Sequence, residues 1–317
     1  MKVSVVICTY SPDVFDHFVD AVNSVLAGTY DDVEVVVIVD GDETLFERVR
    51  SRYGGHDDVV LHCNDENLGL SASRNVAVEL ASGDVVAFLD DDAVAHPEWV
   101  ERLVSLYERH DAIAAGGKMT GRWVTGKPSF LPEEFYWLVG VTHRGFPTEE
   151  CEVRNTFGSN ISFRREVFEE LGGFETNLGR AGEKNLQGEE TEFAARMRQR
   201  YGQGVWYDPD AIVEHKVFDY RTKPKWLLER AFWQGYSKRV MADILPDEDG
   251  GEESAFLRQL LVVFVPNRIS GLVRHRRGPD AGQLFTLVVF TATVGLGYLY
   301  AVANRRSAET ASSTPTS

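Results

Sequence analysis

The first hundred residues alternate between two hydrophobic periods. Val3–Ile7 is a near-continuous β-branched run, Val33–Val39 is a second, Val59–Leu61 a shorter third, and Val85–Leu89 a fourth. Runs this short with few polar alternates predict strands buried on both faces. Between them, apolar positions recur at helical spacing over roughly 14–26, 44–53 and 71–81. Strand and helix in alternation predict an α/β fold with a mostly parallel sheet and right-handed crossovers. A further helix is expected from Pro97, a residue suited to the first helical position, to about His110.

After residue 111 the alternation breaks. Residues 117–160 are rich in Gly, Pro and aromatics and read as irregular strands and loops. Helices are expected again at 165–171 and 189–201, a short strand at 204–207, and a long amphipathic helix over 225–243. These segments form one soluble body, residues 1–245. A polar linker follows at 246–254 (PDEDGGEES). Residues 255–280 read as an amphipathic, basic segment that lies at an interface. No charge occurs over 281–304, which is long enough to cross a bilayer and predicts a transmembrane helix. Residues 305–317 read as a disordered tail.

Charge sharpens that division. The chain of 317 residues carries 49 acids against 33 bases, a net −16, which argues against a nucleic-acid partner. Residues 255–317 hold seven Arg and two acids, leaving −21 on residues 1–254. A basic apolar tail on an acidic body points to a membrane partner, and the acidity is like that of proteins from high-salt organisms. Four Arg within 268–277, against two at 305–306, place the body on the cytoplasmic face of the cell membrane. The N-terminal apolar run is too short for a signal peptide. Three widely spaced cysteines make neither a disulfide framework nor a zinc site.

The candidate chemistry gathers at strand ends. Asp90, Asp91 and Asp92 follow the Val85–Leu89 run directly. Three adjacent carboxylates repel one another, and a hard divalent cation with oxygen ligands relieves that repulsion. The carboxyl ends of strands in an open α/β sheet are also where ligands bind. Thr9-Tyr10-Ser11-Pro12 ends the first strand and Asp40-Gly41-Asp42 the second, while Asn67 to Asn75 opens the third helix.

This set resembles the family 2 inverting glycosyltransferases of the GT-A fold, a Rossmann-like, mostly parallel sheet flanked by helices. The resemblance covers about residues 1–245 and is strongest in 1–100 and 155–236. Val3 to Tyr10 matches the opening pattern, with Thr9 and Tyr10 on the nucleotide side. The usual Asp-Asp-Gly-Ser turn is here Val39-Asp40-Gly41-Asp42, one Asp short. By resemblance, Asp40 contacts the donor base and Arg74 lies near the nucleotide. Asp90 to Asp92 match the Asp-x-Asp motif. Asp92 then ligates Mg²⁺ or Mn²⁺, and Asp90 or Asp91 orients the ribose or a metal-bound water. Gly188-Glu189-Glu190 stands where the family carries Glu-Asp, whose second acid is the general base. That maps to Glu190, with Glu189 as its rival because Glu replaces Asp. His215 matches a family His near the diphosphate or metal. Residues 158–165 match a segment that lines the acceptor side.

The resemblance implies a membrane-attached, metal-dependent transferase that uses a nucleotide-sugar donor, UDP-linked by expectation. Its acceptor would be a dolichol-phosphate-linked glycan, as in archaeal enzymes of protein N-glycosylation, and a hexuronic acid is one sugar it could carry. Two other readings stay open at this point: direct transfer to a polyprenyl phosphate, and a catalytically degenerate nucleotide-sugar-binding partner subunit.

Overall fold

The computed structural model describes residues 1–176, 180–181, 184–185, 188–244, 251–275 and 278–312. The chain forms two compact units: Met1–Arg122 with Pro147–Lys216, and Trp123–Phe146 with Val217–Ser317.

The first unit opens with β1 (Val3–Thr9), α1 (Phe15–Leu26), β2 (Val33–Asp40), α2 (Glu43–Tyr53), β3 (Val59–Asn64), α3 (Leu70–Leu80) and β4 (Val85–Phe88). These strands pair in parallel, with Val3 opposite Val33 and Val85, and Val35 opposite Val59. The pleat sorts their side chains into two cores. Val35, Val37 and Val39 pack with Phe18, Val22 and Leu103 on one face. Val36 and Ile38 pack with Phe163, Phe168 and Phe193 on the other. Both faces are covered, which is why these strands carry almost no polar alternates.

The remainder comprises β5 (Ala93–Ala95), α4 (Trp99–His110), β6 (Ala114–Trp123), β7 (Cys151–Val153), β8 (Ile161–Arg164), α5 (Arg165–Leu171), β9 (Arg180–Ala181), β10 (Lys184–Asn185), α6 (Glu189–Tyr201) and β11 (Val205–Val217). The main sheet runs β3-β2-β1-β4-β8-β6-β11-β5, with β7 also beside β11. β8 lies antiparallel to β4 and β6, and β11 antiparallel to β5 and β7. The result is a mostly parallel sheet flanked by helices, extended by antiparallel strands.

Three expectations need correction. Residues 114–123, expected in part as irregular chain, form the strand β6, because Gly116 and Gly117 let neighbouring backbone approach. A Cβ on Gly117 would fall 1.9 Å from Ala211 O. The strand expected at 204–207 runs on to Val217, since Asp208-Pro209-Asp210 interrupts the apolar pattern but not the extended chain. Pro97 does not open its helix. α4 begins at Trp99, and the Pro97 carbonyl accepts a hydrogen bond from Thr29 N at 2.9 Å.

The second unit holds a 3₁₀ segment (Glu133–Val139), α7 (Pro224–Ile244), α8 (Gly251–Gln259), a π-helical stretch (Leu260–Phe264), α9 (Val265–His275) and α10 (Gly278–Ser312). Its core gathers Leu131, Phe135, Leu227, Leu260, Phe264 and Phe290. Within that core the buried Glu134 takes both Nε and Nη2 of Arg268, at 3.3 and 2.5 Å. Ala281–Asn304 of α10 is long and apolar enough to cross a membrane. α7, expected as the last helix of the soluble body, belongs to this unit. Of the expected linker, 246–250 lie outside the described residues and 251–254 open α8. Of the expected tail, 305–312 continue α10 and 313–317 lie outside the described residues.

Candidate active site

The parallel strands end on one edge of the first unit, and each contributes a residue there. Thr9 closes β1. It is 1% exposed, and its Oγ1 has no hydrogen-bond partner among the described residues. Tyr10 follows and is 65% exposed, so an aromatic face is open to a ligand beside a buried, unsatisfied hydroxyl.

Asp40 closes β2 and is buried. Its carboxylate accepts from Asn64 Nδ2 at 2.8 Å and from Leu68 N and Gly69 N at 2.9 Å each. It therefore shapes the loop that leads into α3, and of about four acceptor sites on a carboxylate three are already used. Gly41 makes this turn possible. It sits at φ 79°, and a Cβ there would lie 2.3 Å from Asn67 N. Asp42 is spent as the N-cap of α2, accepting from Leu45 N at 2.8 Å.

Arg74, expected near the nucleotide, is turned inward from α3 and 3% exposed. Nη1 donates to Glu189 Oε1 at 3.2 Å, and Nη2 donates to Asp90 Oδ1 and to Gly158 O, both at 3.0 Å. A buried guanidinium is held in place by matched donors, and here two carboxylates and a carbonyl take three of its five N–H groups. The end of β4 is thus tied to the start of α6. Asp90 is fixed from the other side too, because its backbone N–H donates to Ser159 Oγ at 2.8 Å. Asn160 continues the brace, donating to Lys118 O and Ala211 O and accepting from Trp99 Nε1. The 158–165 segment therefore acts first as a scaffold for the acidic triplet.

Asp91 is partly buried beside it, and Asp92 is 6% exposed. β11 runs antiparallel to β5 with His215 opposite Ala93, and Lys216 N donates to Asp92 O at 2.9 Å. That register carries His215 Nε2 to 3.3 Å from Asp92 Oδ1. No group of three His, Cys, Asp or Glu side chains among the described residues could hold a metal by itself. One carboxylate and one imidazole, both buried, nonetheless make a suitable donor pair. A divalent cation that takes its remaining oxygens from a diphosphate needs no more from the protein. Asp90, engaged by Arg74, stands outside that pair. Cys8 on β1 is pushed up to about 12 by burial, so it remains a neutral thiol rather than a metal-binding thiolate.

Gly188 precedes α6, and its φ of 110° turns the chain so that Glu189 and Glu190 fall in the first helical turn. Thr191 accepts from Asn155 Nδ2 at 2.7 Å, which anchors that turn. The two acids differ in environment. Glu189 is ion-paired to Arg74. Glu190 is raised well above the ordinary carboxylate range, first by desolvation and then by the neighbouring charge of Glu189, with Arg74 opposing. A proton acceptor whose affinity is shifted toward neutrality suits general base work.

The structure thus brings Asp90, Arg74 and Glu189 into direct contact and pairs Asp92 with His215. Thr9, Tyr10 and Asp40 stand at the ends of adjacent strands. The scaffold roles of Ser159 and Asn160 were missed in the sequence. The only signal for them was two short polar residues inside an apolar strand approach.

A mostly parallel sheet with an acidic motif at the end of β4 and a carboxylate pair at the mouth of a later helix defines a GT-A glycosyltransferase. The sequence profile of Glycosyl transferase family 2 matches residues 4–172, and the chain belongs to that family. Among curated relatives, a glucosyl-dolichyl phosphate glucuronosyltransferase of Haloferax volcanii is 52% identical, over 95% of this chain and 96% of its own length. The succinoglycan biosynthesis protein ExoM of Rhizobium meliloti is 28% identical over 59% of this chain and 57% of its own. Among solved structures, the mannosyltransferase PcManGT of Pyrobaculum calidifontis, in complex with GDP-Man and Mn²⁺, superposes with a TM-score of 0.59. It is 16% identical, and the match covers 96% of this chain and 86% of that one. TarS of S. aureus, residues 1–349 in complex with UDP-GlcNAc, gives 0.57 at 18% identity over 93% and 82%. At these identities the two structures speak for the fold.

Proposed function

We propose that the protein is a metal-dependent inverting transferase that moves a hexuronic acid from a nucleotide sugar, UDP-linked, to a dolichol-phosphate-linked sugar acceptor at the cytoplasmic face of the membrane. One observation carries the chemistry: Asp90 on the donor side and Glu189 beside the base share the buried guanidinium of Arg74. The identity of the sugar and acceptor is supported by the Haloferax relative, 52% identical over nearly the whole chain.

Tyr10 offers an exposed ring for the base of the nucleotide, and Thr9 Oγ1 a hydroxyl still to be satisfied. Asp40, the last residue of β2, stands at the same end of the sheet. Asp90 and Asp91 are suited to orient the ribose. Asp92 and His215 would hold Mg²⁺ or Mn²⁺. Such an ion, when bound, neutralises charge that develops on the departing diphosphate. Glu190 takes the proton from the acceptor hydroxyl as its oxygen bonds to the anomeric carbon. The bond to the nucleoside diphosphate breaks with its electron pair, and the anomeric configuration inverts.

A polyprenyl carrier stays in the bilayer, so the enzyme must work at its surface. The Ala281–Asn304 stretch and the exposed Leu257, Leu261, Val262 and Ile269 support membrane attachment. Four Arg within 268–277 support a cytoplasmic body. The purified protein should transfer labelled hexuronic acid from its UDP donor to glucosyl dolichyl phosphate. EDTA should abolish transfer, and Mn²⁺ or Mg²⁺ should restore it. Full turnover in EDTA-treated protein would remove the metal from this reading.

A further inference from the structure

We propose that Arg74 and Glu189 form a positioning pair that selects Glu190 as the base and sets its charge state. The inference rests on the reading of Glu190 as base and extends it to two residues that never touch the sugar.

The geometry gives three reasons. Arg74 is buried, and the described partners of its guanidinium are Asp90, Gly158 O and Glu189. These bonds turn it toward the end of β4 and the start of α6, so it joins the elements it touches. Glu189 also accepts from Gly188 N at 3.3 Å, in addition to Arg74, and is 7% exposed. A carboxylate held by a guanidinium and its own helix start is a poor proton acceptor for a mobile substrate. Glu190, next in the chain, is the acid left to face the acceptor. The bridge also fixes distance: the base helix cannot move away from the acidic triplet without breaking a buried ion pair.

Among the described residues, three charged groups act most strongly on Glu190. Glu189 stands on the same helix, Arg74 comes from α3 and Asp90 from the end of β4. Cys8 on β1, which lies close to Arg74, is neutral. Glu189 and Asp90 make it harder to ionise Glu190, and Arg74 makes it easier. Removing one member of the pair should therefore move Glu190 in one direction, and removing the other in the opposite direction.

The test is the pH profile of kcat for four variants, with the KM for the UDP-sugar followed alongside. Glu190→Gln should lose about 100-fold or more in kcat across the range. Glu189→Gln keeps an acceptor for Arg74 but removes the like charge. Its acid limb should move to lower pH, with much of kcat retained and the donor KM unchanged. Arg74→Ala should move the limb to higher pH. Arg74→Lys keeps the charge but not the planar fork, so its limb should stay near that of the wild type while kcat falls. If Arg74→Ala does not fold, the Glu189→Gln and Arg74→Lys arms decide alone. Loss of turnover in Glu189→Gln as complete as in Glu190→Gln would overturn the proposal, as would limbs that fail to move. An active Glu190→Gln would instead remove the base itself, which is a different failure.

Discussion

At the scale of single residues, like side chains differ because of what surrounds them. Asp40 and Asp42 lie two apart, yet one braces the loop before α3 and the other caps α2. Glu189 and Glu190 are adjacent, yet one is ion-paired and the other is raised in pKa. Because the folded carboxyl of Glu190 binds its proton more tightly than an ordinary one, kcat should rise with pH through a limb above the usual carboxylate range. Glu190→Gln should lower kcat by about 100-fold or more, read in steady-state transfer at saturating acceptor. Glu34 lies far from the site, at the opposite end of the sheet. It accepts from Ser4, Ser82 and Lys2, and the bonds from Lys2, Ser4 and Ser82 outweigh its burial and lower it to about 2. The stability it confers is full above the ordinary carboxylate pKa and is lost as pH falls toward about 2. Glu34→Gln should flatten that part of the stability curve, measured by chemical denaturation from neutral to acid pH.

Elements show how much of this could be read from the chain. The β-branched runs of β1, β2 and β4 were legible, because strands buried on both faces leave continuous apolar stretches. Helices α5 and α6 were legible to the residue. β6 was not, since its entry through Gly116-Gly117 carries no side chains to show a period. Most of β11 was hidden by Asp208-Pro209-Asp210. The acidic triplet at the end of β4 was legible, but the partners of Arg74 could not be read, because a hydrogen bond over 115 residues of chain leaves no local pattern. The register of β11 on β5, which delivers His215 to Asp92, is equally non-local. Gly41→Ala should destabilise the protein by about 1–3 kcal/mol, given its positive φ and the contact with Asn67 N. In the second unit, Arg268→Met leaves buried Glu134 unpaired and should cost about 3–5 kcal/mol, whereas Glu134→Leu with Arg268→Met should cost far less. Denaturation midpoints in detergent would check both.

At the scale of the whole molecule, a carboxylate-rich unit built for a charged, water-soluble donor is joined to a unit whose exposed residues include Leu261, Val262, Phe285 and Leu299. Charge follows the same division: the first unit holds 18 bases against 37 acids, and the second 15 against 12. Leu261→Asp, Val262→Asp, Phe285→Asp and Leu299→Asp together should weaken binding to lipid vesicles, measured by flotation, while nucleotide binding is kept. The most direct measurement of the whole reading is sugar transfer itself. Purified protein, UDP-glucuronic acid and glucosyl dolichyl phosphate should yield one disaccharide lipid of inverted anomeric configuration. The product should be lost with EDTA, with Asp92→Ala and with Glu190→Gln. A product of retained configuration, or turnover undiminished in Asp92→Ala and Glu190→Gln, would contradict it.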